Sequence, residues 1–332
     1  MKLYEIILKP QSAFGTPLKG DTLFGHFCWQ AAYDPALVQG GLEHQLKTYS
    51  DQPFAIFSSA FPVIRTGNAI DHIFKRPDMP LSRLFDTGAD RCTRIRQTKE
   101  LKKKKWMRIS NGLAPNLSSD HFITDKELFS DITGTDAEKD VLTPFTQTHN
   151  SINRLTQTTG TGMFAPYATE NFFYAPGIEL AVFILIDESA VNIGQIRTSL
   201  NRIGQWGFGR DASTGLGRFA VINDPIPVPG PDVQNSNALY TLAPSVPDPS
   251  RYSRLYYKPF IRFGKHGDRL ATGGNPFKNP VIMADEGAVL IPSDRSCFDQ
   301  PYVGQAVTDV SKTLPETVVQ GYAPCLPIKL ES

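Results

Sequence analysis

The chain has 332 residues, of which 40% are hydrophobic and 20% charged, and this composition excludes an intrinsically disordered protein. Its formal net charge of +1 is well below that of a free-standing module that binds duplex DNA, so any anionic partner must be met by local charge. The length allows two domains, because single hydrophobic cores stop growing at about 250–300 residues.

The first 224 residues predict the element order of a ferredoxin-like domain. Apolar runs predict strands over 2–9, 53–64, 178–187 and 218–224. One helix is predicted within 19–32, with Asp21 or Thr22 as N-cap, and another over 191–206. The periodicity breaks down from about 65 to 145, which predicts a long insertion of the kind that is usually functional. Strand, helix, strand, insertion, strand, helix, strand is the ferredoxin-like order.

A proline-rich segment follows, and it predicts a domain boundary. Residues 225–232 read PIPVPGPD, and we assign a linker to 225–237. The remaining residues, 238–332, are rich in predicted strands, which lie at 238–244, 254–263, 279–292 and 318–328. They suggest a second, smaller domain of mixed β content.

The sequence offers no signal for membrane insertion, secretion, or metal or cofactor binding. The longest apolar run, 178–186, is about half of what a membrane helix needs. The amino terminus lacks a signal-peptide pattern, and the four cysteines never form a CxxC pair, so a reducing cytoplasm fits best. None of the histidines has the spacing of a metal site, and we expect no metal and no cofactor.

The glycine loop, GFGRDASTGLGRF at 207–219, has four glycines in thirteen residues. It matches neither GxGxxG after a strand nor GxxxxGK[ST] before a helix, which disfavours nucleotide binding. Its backbone N–H groups, flanked by Arg210 and Arg218, suit the close approach of a polyanionic backbone. The alternative is a tight helix-to-strand connection that needs positive φ angles.

A second cluster, at 148–164, crowds polar side chains into a short segment, THNSINRLTQTTGTGMF. Such groups recognise the phosphates, 2′-hydroxyls and exposed base edges of single-stranded RNA. Turns and caps built from the same Ser, Thr and Asn residues are the alternative.

Two further segments could meet an anion. KGDTLFG at 19–25 places Lys19 and Asp21 at a helix amino terminus, although a buried helix start needs no ligand. Between Arg91 and Arg108 there are nine Lys or Arg and one acid, Glu100; the alternative is a solvated face or a disordered loop.

Catalysis has fewer candidates. Metal-independent RNA cleavage needs a general base, an acid and a cation near the phosphate. His26 or His149, with Arg154 or Arg210, could supply them, although a lone histidine is more often a structural residue.

These motifs, in this order, resemble the RAMP superfamily of CRISPR effector proteins. Within it they look most like the subunit family that caps the 5′ end of the guide RNA in type III-A Csm complexes. KGDTLFGHFCW resembles that family's opening helix, HNSINRLT its central motif, GFGRDASTGLGRF its glycine-rich loop, and GGNPFKNPVIMADEGAVL a segment of its second half. The resemblance covers most of the chain except 65–145.

The resemblance implies an α+β fold of two ferredoxin-like (RRM-like) RAMP domains, with the glycine-rich loop and the insertion, which in related subunits carries a β-hairpin thumb, in the first. The domains would be 1–224 and 238–332. It implies a cytoplasmic, prokaryotic, antiviral protein that binds the repeat-derived 5′ tag of the CRISPR RNA without catalysis. The implied partners are this RNA, target RNA indirectly, the large polymerase-like subunit and the backbone RAMP subunit; no membrane or small-molecule substrate is expected.

The candidate RNA-binding residues come from all four segments. They are Lys19, Asp21, Lys102, Lys103, Lys104, Lys105, His149, Asn150, Ser151, Asn153, Arg154, Thr156, Gly207, Gly209, Arg210, Ser213, Thr214, Gly215, Gly217 and Arg218. Two alternatives remain open at this point: a CRISPR RNA-processing endoribonuclease of the same superfamily, and an architectural scaffold without RNA contact.

Overall fold

A computed structural model describes residues 1–67, 69–85, 91–110, 112–136, 138–230 and 233–330. Residues 68, 86–90, 111 and 137 of the predicted insertion lie outside the described residues. So do 231–232 of the predicted linker and 331–332 of the predicted second domain.

The described residues form helices and antiparallel strands along the whole chain. The α-helices are α1 (Gly20–Tyr33), α2 (Leu42–Thr48), α3 (Leu81–Leu84), α4 (Arg91–Lys103), α5 (Asp125–Thr133) and α6 (Ile193–Trp206). The strands of the first part are β1 (Lys2–Pro10), β2 (Ala55–Thr66), β3 (Ala69–Lys75), β4 (Lys104–Ile109), β5 (Phe122–Thr124), β6 (Leu142–His149), β7 (Tyr167–Tyr174), β8 (Glu179–Ile186), β9 (Phe219–Val221) and β10 (Ile226–Val228). Those of the second part are β11 (Ala238–Thr241), β12 (Tyr252–Tyr256), β13 (Pro259–Arg262), β14 (Val281–Ala284), β15 (Val289–Pro292), β16 (Tyr302–Gly304) and β17 (Tyr322–Ile328).

The first sheet confirms the ferredoxin-like order of the first part. Its strands run β10-β1-β8-β2-β3-β4-β5, with β9 also paired to β1. Strands β1, β2, β8 and β9, with α1 after β1 and α6 after β8, give the order strand, helix, strand, strand, helix, strand. The α+β class with antiparallel sheets is therefore confirmed.

Helix α6 follows from local sequence. Asn192 caps it by accepting a hydrogen bond from the Gln195 N–H, and the Gln195 side chain returns a bond to the Asn192 N–H. Its apolar face, Ile196, Leu200 and Ile203, is buried against the sheet. Helix α1 begins differently from the prediction, because its N-cap is Lys19, whose side chain makes no capping bond.

The predicted insertion is largely a continuation of the first sheet. Strand β3 pairs with β2, β4 with β3, and β5 with β4. Buried residues that include Ile73, Phe74, Met107 and Phe122 hold this extension in the core. The sequence hid these strands, because half-buried charged residues such as Asp71, Lys75 and Arg108 interrupt their buried apolar positions.

The second part is a five-stranded antiparallel sheet, β12-β15-β11-β17-β16, with β13 and β14 forming a separate hairpin. Between residues 233 and 330 the helical turns are 3-10 turns and there is no α-helix. The predicted linker also contains structure, because β10 pairs with β1 at the edge of the first sheet.

The two sheets share one hydrophobic core. Phe74 and Phe183 of the first sheet cluster with Tyr240, Val289 and Leu326 of the second. Helices α1 and α6 cover the opposite face of the first sheet. The molecule is thus built in three layers: helices, first sheet and second sheet.

Candidate nucleic-acid interface

The glycines of the loop serve the turn between α6 and β9. Gly207, Gly209, Gly215 and Gly217 all have positive φ, at 106°, 75°, 97° and 74°. A Cβ at Gly217 would lie 2.1 Å from the Phe208 carbonyl oxygen, and one at Gly209 would lie 2.6 Å from the Thr16 Cβ. Only glycine fits these two positions, because an L side chain would meet both backbone strain and a steric clash.

Most backbone N–H groups of the loop donate within the protein. The acceptors of Gly209, Arg210, Gly217 and Arg218 are His26 Nε2 at 3.0 Å, Thr16 Oγ1 at 3.0 Å, the Ala13 carbonyl at 2.7 Å and Ser12 Oγ at 2.9 Å. The N–H groups of Phe208, Thr214, Gly215 and Leu216 donate inside the loop itself. The loop therefore presents to solvent mainly side chains, of which Ser213, Thr214 and Arg218 are exposed.

His26 of α1 contacts the loop through its ring and through one hydrogen bond. Its ring lies against Phe208, with centroids 4.7 Å apart, while Nε2 accepts the Gly209 N–H. Burial lowers the pKa of His26 from 6.5 to about 4, so the ring is neutral near pH 7. A neutral imidazole is what this acceptor role requires.

Arg210 joins the loop to the β6–β7 hairpin. Its guanidinium donates to the Glu170 carbonyl and, at 3.0 Å, to Asn171 Oδ1, and it lies 3.4 Å from Asp211. Phe14 exchanges two backbone hydrogen bonds with Phe172 of the same hairpin, at 2.9 and 3.0 Å. Loop, hairpin base and the turn after β1 therefore meet at one junction.

The predicted polar cluster forms the tip of this hairpin. His149, paired with Tyr167, lies three residues beyond the Glu170 contact, or roughly 10 Å along the strand. Its Nε2 is 3.1 Å from Thr169 Oγ1, and its ring stacks on Tyr167 at 5.1 Å.

Beyond His149 the tip is closed by a tight turn. The Asn153 N–H donates to the Thr158 carbonyl, and the Leu155 N–H donates to Asn153 Oδ1. Asn150, Arg154 and Thr156 are exposed, and Ser151 is half-buried. Within the described ranges the Arg154 side chain makes no hydrogen bond or ion pair, and Leu155 beside it is 95% exposed.

Lys19 and Asp21 are committed to contacts between the two parts of the chain. Lys19 Nζ lies 2.5 Å from Asp285 and 2.6 Å from Glu286. Buried Asp21 receives two hydrogen bonds from Arg262, at 2.5 and 2.8 Å. Their predicted place at the start of the helix is right, but their side chains bind the second part of the protein.

The basic run lies apart from this junction. Lys102 and Lys103 end α4, and Lys104 and Lys105 begin β4, four strands away from β1, or about 19 Å. Lys103 pairs with Glu100, Lys105 with Asp125, and Lys104 donates to the Ser119 carbonyl. Lys102 is exposed.

Sequence reasoning missed Trp206, the last residue of α6. Its side chain is 76% exposed. The next residue, Gly207, packs against Ala212, since a Cβ there would lie 3.0 Å from the Ala212 Cβ; Ala212 begins the turn that carries Ser213 and Thr214. The available signal was a tryptophan directly before the first loop glycine, in a helix whose apolar face was already complete.

Other kinds of site find no support in the described part of the chain. There, no group of three or more His, Cys, Asp or Glu side chains could hold a metal ion. Within the same residues no helix is long and apolar enough to span a bilayer.

The first sheet, with α1 after β1 and α6 after β8, has a ferredoxin-like architecture, and solved structures with a similar fold are known. A crystal structure of a Csm3–Csm4 subcomplex from a type III-A CRISPR-Cas interference complex contains a chain that matches with a TM-score of 0.57 at 15% identity, over 98% of this chain and 99% of that one. A Csm1–Csm4 cassette in complex with pppApA matches with a TM-score of 0.54 at 16% identity, over 99% of both chains. The chain has a Csm4-like fold. No protein-family model and no curated protein matches the sequence.

Proposed function

We propose that this protein is a non-catalytic subunit of a type III CRISPR ribonucleoprotein. In this role it binds the repeat-derived 5′ tag of the CRISPR RNA and bridges the large polymerase-like subunit to the backbone subunits, meeting target RNA only indirectly. The Csm4-like fold supports the proposal, since the solved neighbours are chains of Csm1–Csm4 and Csm3–Csm4 assemblies.

The observation that carries the RNA-binding part is the Arg210 junction. It ties the glycine loop to the base of the β6–β7 hairpin, so that two polar surfaces are held in fixed positions relative to each other. The hairpin tip offers Asn150, Arg154 and Thr156 to solvent, and the loop offers Ser213 and Arg218. Hydroxyl, amide and guanidinium groups are the donors that contact phosphates and 2′-hydroxyls of single-stranded RNA.

Trp206 adds an exposed aromatic ring to these polar groups. An exposed indole can stack on an unpaired base, a contact that contributes about 1–3 kcal/mol in proteins that bind single strands. We therefore place one nucleotide of the tag against Trp206, next to the loop turn.

The test is fluorescence anisotropy with a labelled RNA that carries the host's repeat-derived 5′ tag, and with a scrambled RNA of the same composition. Trp206→Ala should weaken tag binding by about tenfold to a hundredfold. Tyr257→Ala, which removes another exposed aromatic ring in the second part of the chain, is the matched control and should leave it unchanged. No difference between tag and scrambled RNA, together with no effect of Trp206→Ala, would refute tag binding.

The endoribonuclease alternative has less support. His26 Nε2 already accepts the Gly209 N–H, and His149 Nε2 lies within hydrogen-bond distance of Thr169. Incubation of unprocessed repeat RNA with the protein tests it: cleavage that His26→Gln or His149→Gln abolishes, with binding retained, would favour the enzyme.

A further inference from the structure

The β13–β14 hairpin has an unusual outer face. Side chains alternate along 259–266, so that Phe260, Arg262 and His266 turn inward while Ile261, Phe263 and Lys265 turn outward. The outward face of such a hairpin is normally polar. Here it carries Ile261, 48% exposed, directly opposite Ile282, 69% exposed.

Two aromatic rings continue this face past the end of the strands. Phe263 is 75% exposed and Phe277 is 67% exposed. Phe277 is held in place by a backbone bridge to Lys265. Four large apolar side chains on one outward face exceed the scattered exposure that is ordinary for a surface.

The inner face fixes the hairpin to the rest of the protein. Arg262 forms its paired hydrogen bonds with Asp21 of α1. Phe260 lies under two cations, Lys19 Nζ and the Arg262 guanidinium, each 4.7 Å from its ring centroid. The outer face is therefore presented by an anchored element and needs little ordering on binding.

Two basic side chains lie close to the apolar face. Lys265 Nζ lies 5.8 Å from the Phe277 centroid, and exposed Arg269 lies over Tyr33 at 5.9 Å. Asp285 and Glu286, directly after β14, turn inward to Lys19 and Lys75. Asp309 is an exposed carboxylate in this region: its carbonyl accepts a hydrogen bond from Asn279, and its side chain accepts one from Thr308.

We propose that this face, Ile261, Phe263, Phe277 and Ile282, is a docking surface for another protein subunit of the effector complex. The partner surface is apolar and edged by carboxylates that complement Lys265 and Arg269. The proposal rests on the proposed function, which supplies the effector complex from which the partner is drawn. Phe263 and Phe277 could stack on bases, but the opposed isoleucines offer neither ring stacking nor hydrogen bonds to RNA. A second copy would bring the same basic edge against itself.

The test uses the full chain with the host's large subunit and backbone subunit, each purified separately and without RNA. The variant is Ile261→Glu/Ile282→Glu, and the matched control is Ile95→Glu, which adds a charge at another exposed isoleucine, on α4. We expect the double variant to weaken binding of one subunit at least tenfold, and Ile95→Glu to leave it unchanged. Phe263→Ser is a second variant, and thermal melting checks that all variants are folded.

Unchanged binding of both subunits by the folded double variant would overturn the proposal. A wild-type dimer that the double variant dissociates would assign the face to a second copy instead, and weaker anisotropy with tag RNA would assign it to nucleic acid. Tag binding by the wild type is measured separately, so failure of the docking surface and failure of the RNA role give different results.

Discussion

The glycine loop and the tip of the β6–β7 hairpin both fit the pattern of an RNA-binding segment, but the structure uses them differently. The four loop glycines adopt positive φ angles, and most of the loop's N–H groups donate hydrogen bonds within the protein. The tip leaves Asn150, Arg154 and Thr156 exposed. Residues of the first kind should therefore affect stability, and residues of the second kind should affect RNA affinity.

Lys19 and Asp21 behave like the loop residues, because their charges form ion pairs within the protein. Asp21→Ala leaves Arg262 largely buried without its carboxylate, and we expect a loss of about 3 kcal/mol in the free energy of unfolding. Chemical denaturation measures it. Asp224→Ala breaks the exposed pair with Arg197 and should cost less than about 0.5 kcal/mol; equal losses in both variants would contradict the assignment of Asp21 to the core.

Gly217→Ala tests the loop itself. The new Cβ would combine a positive φ with a 2.1 Å approach to the Phe208 carbonyl, so we expect a loss of about 3 kcal/mol in the free energy of unfolding. Gly215→Ala has the same kind of φ but open space around its Cβ, and should lose only about 1 kcal/mol. If Gly215→Ala weakened RNA binding without changing stability, the loop would be a phosphate cradle after all.

His26 links the loop to pH. Burial lowers its folded pKa to about 4, whereas the unfolded chain takes up the proton near pH 6.5. The unfolded state therefore binds more protons, and stability should fall by about 1–3 kcal/mol as the pH drops from 6.5 to 4. The free energy of unfolding, measured by chemical denaturation at several pH values in this range, should change less with pH for His26→Gln than for the wild type. An unchanged pH dependence in the variant would remove His26 as the cause.

Arg154→Gln should act on RNA alone. Loss of one phosphate contact reduces the slope of log affinity against log salt concentration by about 0.7 for a single strand. The melting temperature should stay the same, because Arg154 makes no ion pair among the described residues. Arg202→Gln, which removes a cation paired with Asp34, is the control and should leave the slope unchanged.

Some of this architecture is readable from local sequence. Helix α6 matches its prediction within two residues, because its capping pair and its apolar face lie within fourteen positions. Strand β8 was also readable from local sequence, because seven consecutive apolar residues follow Glu179, and all seven are buried. The three strands that extend the sheet were missed, because their partly exposed, charged sequences carry no clear period.

The candidate site shows the same division. The sequence by itself determined the ferredoxin-like order, the position of the glycine turn and the polar composition of the hairpin tip, because these depend on neighbours along the chain. Tertiary structure alone decided that Lys19 and Asp21 bind Asp285, Glu286 and Arg262, that Arg210 ties loop to hairpin, and that Trp206 stands exposed. A charged side chain binds whichever opposite charge the fold brings within about 4 Å, and for Lys19 that partner lies 266 positions away in sequence.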